Sequence, residues 1–364
     1  MKRKNILKIP LSKIPINPEI KKSVLSVLDE GNFILGRQTL DFESKFAKFC
    51  NTKYAACVSS GTAALFLSLK SFGVKKDDEI IVPSMSFIAS ATPILMCGAK
   101  PKFVDVDIHT YNIDPKKIKN KITKKTKGII PVHLYGYPAD IDNIRKVANE
   151  NSLFVLEDAA QAHGAVYKKR MVGSLGDVAC FSFYPSKNLT VCGDGGIVLS
   201  NNKEIIDSVK KLRNHGRKEK YIHQILGYNF RFNEIQAAIG KIMLKNLNKF
   251  NSNRRKVAST YTKLLKDVVI TPTEKKWAKH VYHMYTIRTD KREKLQKSLQ
   301  KAKIATGIHY PVPIHKQPIF KKFEKGKLPI TDLISSSTLS LPIYPSLKLE
   351  DVEYISKKVI EFLT

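Results

Sequence analysis

Long apolar runs are missing from this chain. No stretch of about 18 apolar residues occurs among its 364, so no membrane-spanning helix is expected. Cysteine is sparse and unpatterned: Cys50, Cys57, Cys97, Cys180 and Cys192 form no CxxC pair and meet no histidines at zinc spacing. Neither a disulfide framework nor a metal site is therefore expected, and the odd count reads as free, buried thiols in a reducing compartment. The opening Met1-Lys2-Arg3-Lys4-Asn5-Ile6-Leu7 is basic but lacks an apolar core segment and a small-residue cleavage site. A cytoplasmic location is the expectation. Acidic residues are also scarce, 32 against 63 Lys and Arg, for a formal charge of +31. Such a balance often marks binding to nucleic acid or to anionic membranes. Here the lysines are spread along the chain, as in Lys121-Ile122-Thr123-Lys124-Lys125-Thr126-Lys127, with no arginine-rich arm, helix-turn-helix or zinc-finger spacing. Neither partner is expected, and a positive field would equally attract a phosphate-bearing substrate.

What is present is alternation. Short β-rich runs (54–58, 79–82, 102–106, 128–134, 153–157, 177–182 and 196–199) are separated by helical patterns such as 62–72, 88–97 and 141–149. That order implies an α/β fold, a mostly parallel sheet with helices on both faces and ligands at the carboxyl ends of the strands. Pro10, Pro15 and Pro18 break regular structure in a polar arm that precedes a short helix. A long helical pattern from Phe232 to Leu265 is interrupted near Asn251. A smaller α/β region follows, which sets the expected domains at 1–245 and 246–364.

Three groups then converge on one chemistry. Lys187 sits in Phe181-Ser182-Phe183-Tyr184-Pro185-Ser186-Lys187-Asn188-Leu189, Asp158 ends an apolar strand, and Gly61-Thr62 open a helix just after another strand. An amine, a buried carboxylate and helix-terminal N–H groups are what pyridoxal 5'-phosphate (PLP) asks of a protein, for its aldehyde, its ring nitrogen and its phosphate. Ser182 could add a hydroxyl to the phosphate, and Phe87 could stack on the ring. Alone, Ser-Gly-Thr is a common helix start and Glu157-Asp158 a common cap. Only the combination singles them out.

In the same order the chain carries Gly61-Thr62-Ala63-Ala64-Leu65, Glu157-Asp158-Ala159-Ala160-Gln161-Ala162-His163-Gly164, Ser182 to Leu189, Gly193-Asp194-Gly195-Gly196 and Gly227-Tyr228-Asn229-Phe230-Arg231. It resembles the DegT/DnrJ/EryC1/StrS aminotransferases, which place amino groups on nucleotide-linked keto-sugars. The resemblance implies the aspartate-aminotransferase fold (fold type I), with a seven-stranded, mostly parallel sheet, and a homodimer that shares its active sites. It implies Lys187 as the Schiff-base lysine, Asp158 as partner of the pyridine nitrogen, and Gln161 near the ring hydroxyl. Ser182, Gly61 and Thr62 would hold the phosphate, with Asn229 reaching it from the other subunit. L-glutamate would be the amino donor. Relatives with histidine in place of the lysine act as sugar dehydratases; the chain keeps Lys187, which favours transamination. A non-catalytic regulator or nucleic-acid binder on the same fold is the alternative from another class. The segment Gly307-Ile308-His309-Tyr310-Pro311-Val312-Pro313-Ile314-His315-Lys316-Gln317-Pro318 places His309, Tyr310 and His315 as candidate sugar contacts. It resembles members that aminate C3 rather than C4.

Overall fold

The fold is described from a computed structural model, over residues 9–324 and 326–364. Seven strands build the central sheet: β1 (Tyr54–Val58), β2 (Glu79–Pro83), β3 (Lys100–Val104), β4 (Thr126–Ile129), β5 (Phe154–Asp158), β6 (Val178–Ser182) and β7 (Gly196–Ser200). Their order is β1-β7-β6-β5-β4-β2-β3. Strand β7 runs antiparallel to both neighbours, and all other pairings are parallel. Side chains alternate between two cores. Cys57, Ile81, Val155, Ala179 and Phe181 enter one, while Ala56, Val58, Ile80, Leu156 and Cys180 enter the other. Burial of both faces explains why the strands read as continuous apolar runs rather than as alternating ones.

The first face is covered by α1 (Pro18–Glu30), α2 (Arg37–Phe49) and α4 (Ile141–Glu150), the second by α3 (Gly61–Ser71) and α5 (Lys203–Leu212). Pro18 does not break structure as the sequence suggested; it starts α1, where its missing N–H costs nothing, and Asn17 caps the Ile20 amide at 2.9 Å. The expected helix over 88–97 splits into a 3₁₀ turn, Ile88–Ser90, and a short helix, Thr92–Met96. Pro93 has no N–H to continue the ladder. The start of the polar arm, residues 1–8, lies outside the described residues.

The long helix α6 (Glu234–Leu265) is unbroken over 32 residues, contrary to the interruption expected near Asn251. Asn251 is buried and fully employed: its Nδ2 donates to His163 O at 2.8 Å and its Oδ1 accepts from Asn188 at 2.9 Å. A satisfied polar side chain removes the reason to break. Because α6 carries the chain from one core to the next, the expected division at 245 falls inside a helix. Leu247 still packs on the sheet, and Val257 packs on the second core. That core gathers β8 (Tyr285–Arg288), β9 (Thr338–Leu341), α7 (Arg292–Lys301) and α9 (Leu349–Leu363). The division is not strictly sequential. Ile9 packs in the second core, while Ile314, Phe320 and Leu328 return to the large sheet. Strand β9 and α8 (Pro329–Ser337) had no counterpart in the sequence reading.

All five cysteines are free and four are buried. No described helix is long and apolar enough to cross a membrane, and the described residues hold no cluster suited to a metal ion.

Candidate active site

A cavity of about 450 Å³ opens at the carboxyl ends of β5 and β6. Its walls include Gly61, Thr62, Phe87, Asp158, Gln161, Ser182, Lys187, His309 and Tyr310. Ten candidate contacts were thus separated in sequence by up to about 250 positions, and nine meet here; the tenth, His315, and the cross-subunit candidate Asn229 do not.

Lys187 lies in the turn after β6, where its N–H donates to Tyr184 O at 2.9 Å. Its neighbour Asn188 pins the turn, donating to Val281 O and Asn251 Oδ1, each at 2.9 Å. Burial pulls the Lys187 ammonium down to about 8, against the opposing charge of Asp158. Asp158 closes β5 with 4% of its surface exposed. Its Oδ1 accepts from the Ala160 N–H at 3.1 Å and its Oδ2 from Ser90 Oγ at 2.6 Å. Burial raises its pKa, with those hydrogen bonds and Lys187 pulling the other way. Glu157, one residue earlier, points to the opposite face. It caps no helix; it accepts from His133 Nε2 at 3.0 Å and from the amides of Gly173, Leu175 and Gly176 at 3.0, 2.8 and 2.7 Å.

At the other end of the cavity α3 presents its first turn. Ser60 caps it, accepting from the Ala63 N–H at 3.0 Å. The amides of Gly61 and Thr62 are left without intrahelical partners, and the helix dipole makes that end favourable for an anion. Glycine is required there by close approach: a Cβ at Gly61 would lie 2.7 Å from Ser182 Cβ, and one at Gly196 would lie 2.4 Å from Ser60 O. Ser182 therefore sits directly against the helix start.

The rim is aromatic and amide-lined. Phe87 is half exposed, its ring 5.7 Å from that of Tyr310. Gln161 is fixed at both ends, Oε1 accepting from the Tyr135 N–H at 2.6 Å and Nε2 donating to Tyr310 Oη at 3.2 Å. Tyr135 Oη donates to His309 O, and His309 Nδ1 pairs with Ser340 Oγ at 2.9 Å. Burial, helped by the charge of Lys187, brings His309 down to about 4.

His315 is not a cavity residue. It is 5% exposed, bonded to Ser84 Oγ at 2.5 Å and packed near Phe103, so it braces the 307–318 loop against the sheet. Asn229 is exposed and lies outside the cavity, bridged to Asn214. Ser86, Ser90, His283 and Met284 line the cavity without having been singled out beforehand. His283 is buried, its Nδ1 has no partner among the described residues, and burial holds it well below the usual histidine range. Ser86 immediately precedes the ring candidate Phe87 and Ser90 follows it by three residues, and spacing to Phe87 was the one signal that could have found them. No signal marks His283, which only the fold of 281–284 carries to the cavity.

An amine facing a buried carboxylate, a clash-limited helix start and an exposed aromatic face fit PLP. Lys187 would carry it, Asp158 would face its ring nitrogen, and the α3 turn with Ser182 would hold its phosphate.

The comparisons with known proteins agree with that fit. Residues 15–360 match the model of the DegT/DnrJ/EryC1/StrS aminotransferase family. The chain is 44% identical over 342 residues, 94% of both sequences, to the dTDP-3-amino-3,6-dideoxy-alpha-D-galactopyranose transaminase of Aneurinibacillus thermoaerophilus. It is 42% identical over 353 residues, 95% of both, to a pleiotropic regulatory protein of Geobacillus stearothermophilus. Among solved structures, S. venezuelae DesV in complex with a ketimine intermediate superposes with a TM-score of 0.95 at 37% identity, covering 98% of each chain.

Proposed function

The chain belongs to the DegT/DnrJ/EryC1/StrS aminotransferase family, and we propose that this PLP-dependent aminotransferase moves an amino group from L-glutamate to C3 of a nucleotide-linked keto-sugar. The product would be an amino sugar for glycan assembly. The observation that carries this reading is the convergence of Lys187, Asp158 and the α3 start on one cavity. The choice of C3 is supported by the 3-amino sugar in the name of the 44%-identical relative and by the His309-Tyr310 segment on the rim.

PLP, when bound, supplies an electron sink for the carbon next to the transferred nitrogen. The protein's own part is positional and acid–base. The α3 amides and Ser182 anchor the phosphate end, and Phe87 and Gln161 fix the plane. Asp158 stays close to the ring nitrogen and favours its protonated form. The Lys187 amine, brought into the neutral range by burial, takes the proton from Cα of the donor and gives one to the sugar carbon that receives the nitrogen. His309 and Tyr310 face the sugar from the rim.

A homodimer completes the reading. Among the described residues Lys187 is the one lysine or arginine on the cavity wall, too few for an anionic donor and a diphosphate together. The hairpin that precedes Asn229 exposes Tyr221, Ile222 and Leu226, a surface suited to cover a second copy. Asn229 of the partner subunit would then reach the phosphate. A cytoplasmic setting is in keeping with the free thiols.

The test is an absorbance experiment in two stages. L-glutamate added to PLP-loaded protein should bleach the visible band of the bound cofactor, and a nucleotide-linked 3-keto sugar should restore it where the 4-keto sugar does not. No response to glutamate or to other amino donors would contradict the aminotransferase reading. Recovery with the 4-keto sugar alone would move the site of amination.

A further inference from the structure

Asp158 is held by more than the charge opposite it. The 3₁₀ turn Ile88–Ser90 places Ser90 Oγ 2.6 Å from Asp158 Oδ2, and Ser86 Oγ lies 2.7 Å from Ser90 Oγ. The two serines are 4% and 2% exposed, and both line the cavity. A hydroxyl has a single proton to give, and an ionised carboxylate can only accept. Ser90 gives its proton to Asp158, so the Ser86 contact must be donated by Ser86. The result is a directed chain from Ser86 to Ser90 to Asp158. The same turn presents Phe87, so one short element serves both the face of the bound ring and its nitrogen.

We propose that Ser90 is a positioning residue that holds the Asp158 carboxylate toward the cofactor's ring nitrogen, and that Ser86 fixes the direction of the Ser90 hydroxyl. The inference rests on PLP occupying this cavity. It goes beyond the carboxylate itself, because the ring's partner then depends on two neutral hydroxyls that no charge argument would select.

The other groups facing Asp158 are Lys187 from the turn after β6, His133 from the segment after β4, Cys180 on β6 and Tyr310 from the rim loop. Lys187 and His133 favour the ionised carboxyl, while Cys180 and Tyr310, both pushed up by burial, stay neutral beside it. None of the four donates a hydrogen bond to Oδ2. Removing the Ser90 hydroxyl would therefore leave that oxygen bare, raise the Asp158 pKa further and free the carboxylate to turn.

The experiment compares wild type with S90A and S86A in three measurements. These are the affinity for PLP, the Asp158 titration in cofactor-free protein by infrared difference against D158N, and the melting of the cofactor-free forms. For S90A the expected result is about tenfold weaker PLP binding and a carboxyl midpoint about one pH unit higher, the worth of one charge-assisted hydrogen bond. S86A should move both in the same direction by about threefold and half a unit, since it acts through Ser90. Melting of the cofactor-free forms should fall only by the small amount that a one-unit rise in a buried carboxyl's pKa carries. Wild-type affinity and midpoint in S90A would overturn the proposal, as would a fall in melting temperature with an unmoved midpoint, the mark of a merely structural role. A larger effect from S86A than from S90A would overturn the direction of the chain. Failure of the wild type to bind PLP would instead overturn the cofactor reading beneath it.

Discussion

Glu157 and Asp158 are neighbours in sequence, yet they serve two regions with opposite requirements. Strand periodicity turns Glu157 away from the cavity and Asp158 into it. On the closed side Glu157 is 0% exposed and every oxygen is claimed, by His133 Nε2 and three backbone amides. Burial alone would raise its pKa, but those donors together hold it below the usual carboxylate range. On the open side Asp158 has two protein donors, and burial wins, so its pKa stands above that range. A carboxylate with saturated oxygens builds structure; one left partly unsatisfied at a cavity wall is available to a ligand. The contrast separates fold from function within one dipeptide.

Lys187→Ala should sharpen that contrast most. It removes both the covalent anchor and the proton carrier, and transamination should fall by about 10⁶, as when a catalytic nucleophile is deleted. The melting of the cofactor-free protein should hold, which a paired activity and calorimetry measurement checks. Asp158→Asn keeps shape and removes charge. Loss of the ring nitrogen's ionic partner should cost about 3–5 kcal/mol, roughly 10²–10⁴ in the rate of the glutamate half-reaction by stopped-flow absorbance. Glu157→Gln should invert the pattern, lowering stability by about 3 kcal/mol in urea unfolding while PLP affinity changes little. Because the Glu157 pKa is depressed in the folded state, its stabilisation is present above the unfolded carboxylate pKa and is lost as pH falls through the folded value. The wild type should therefore lose its stability advantage over Glu157→Gln in acid. An advantage that persists or grows in acid would break the comparison.

Two smaller effects concern the open side. The cofactor-free protein should take up PLP faster as pH rises through about 8, because the neutral Lys187 amine is the reacting form. An ordinary lysine would show that rise about two units later. Tyr310→Phe deletes the hydroxyl that accepts from Gln161 at 3.2 Å. About 1 kcal/mol, or roughly fivefold in sugar KM with kcat nearly kept, is the expected cost in steady-state kinetics.

Much of the cavity floor was legible in the sequence because each group carries its own local sign. A Ser-Gly-Thr helix start, a carboxylate ending an apolar strand and a lysine after a strand are short-range features, and strands β1 to β7 fell close to the expected runs. The rest depends on contacts between distant segments. Asn251 looks like a helix breaker until His163 O and Asn188 are brought to it. His315 looks like a ligand in a His-Tyr-Pro segment, and only the approach of Ser84 turns it into a brace. Ser90 is one serine among many until β5 places Asp158 beside it. Side chains whose role lies in another residue's hydrogen bond leave no pattern of their own.

The most direct test of the account follows the nitrogen. Nitrogen-labelled L-glutamate and a nucleotide-linked 3-keto sugar are incubated with the PLP-loaded protein, and the product is read by NMR. The account predicts the label bonded to C3 of the sugar, with 2-oxoglutarate formed in equal amount. A product that carries no label, or one that has lost a hydroxyl without gaining nitrogen, would contradict it.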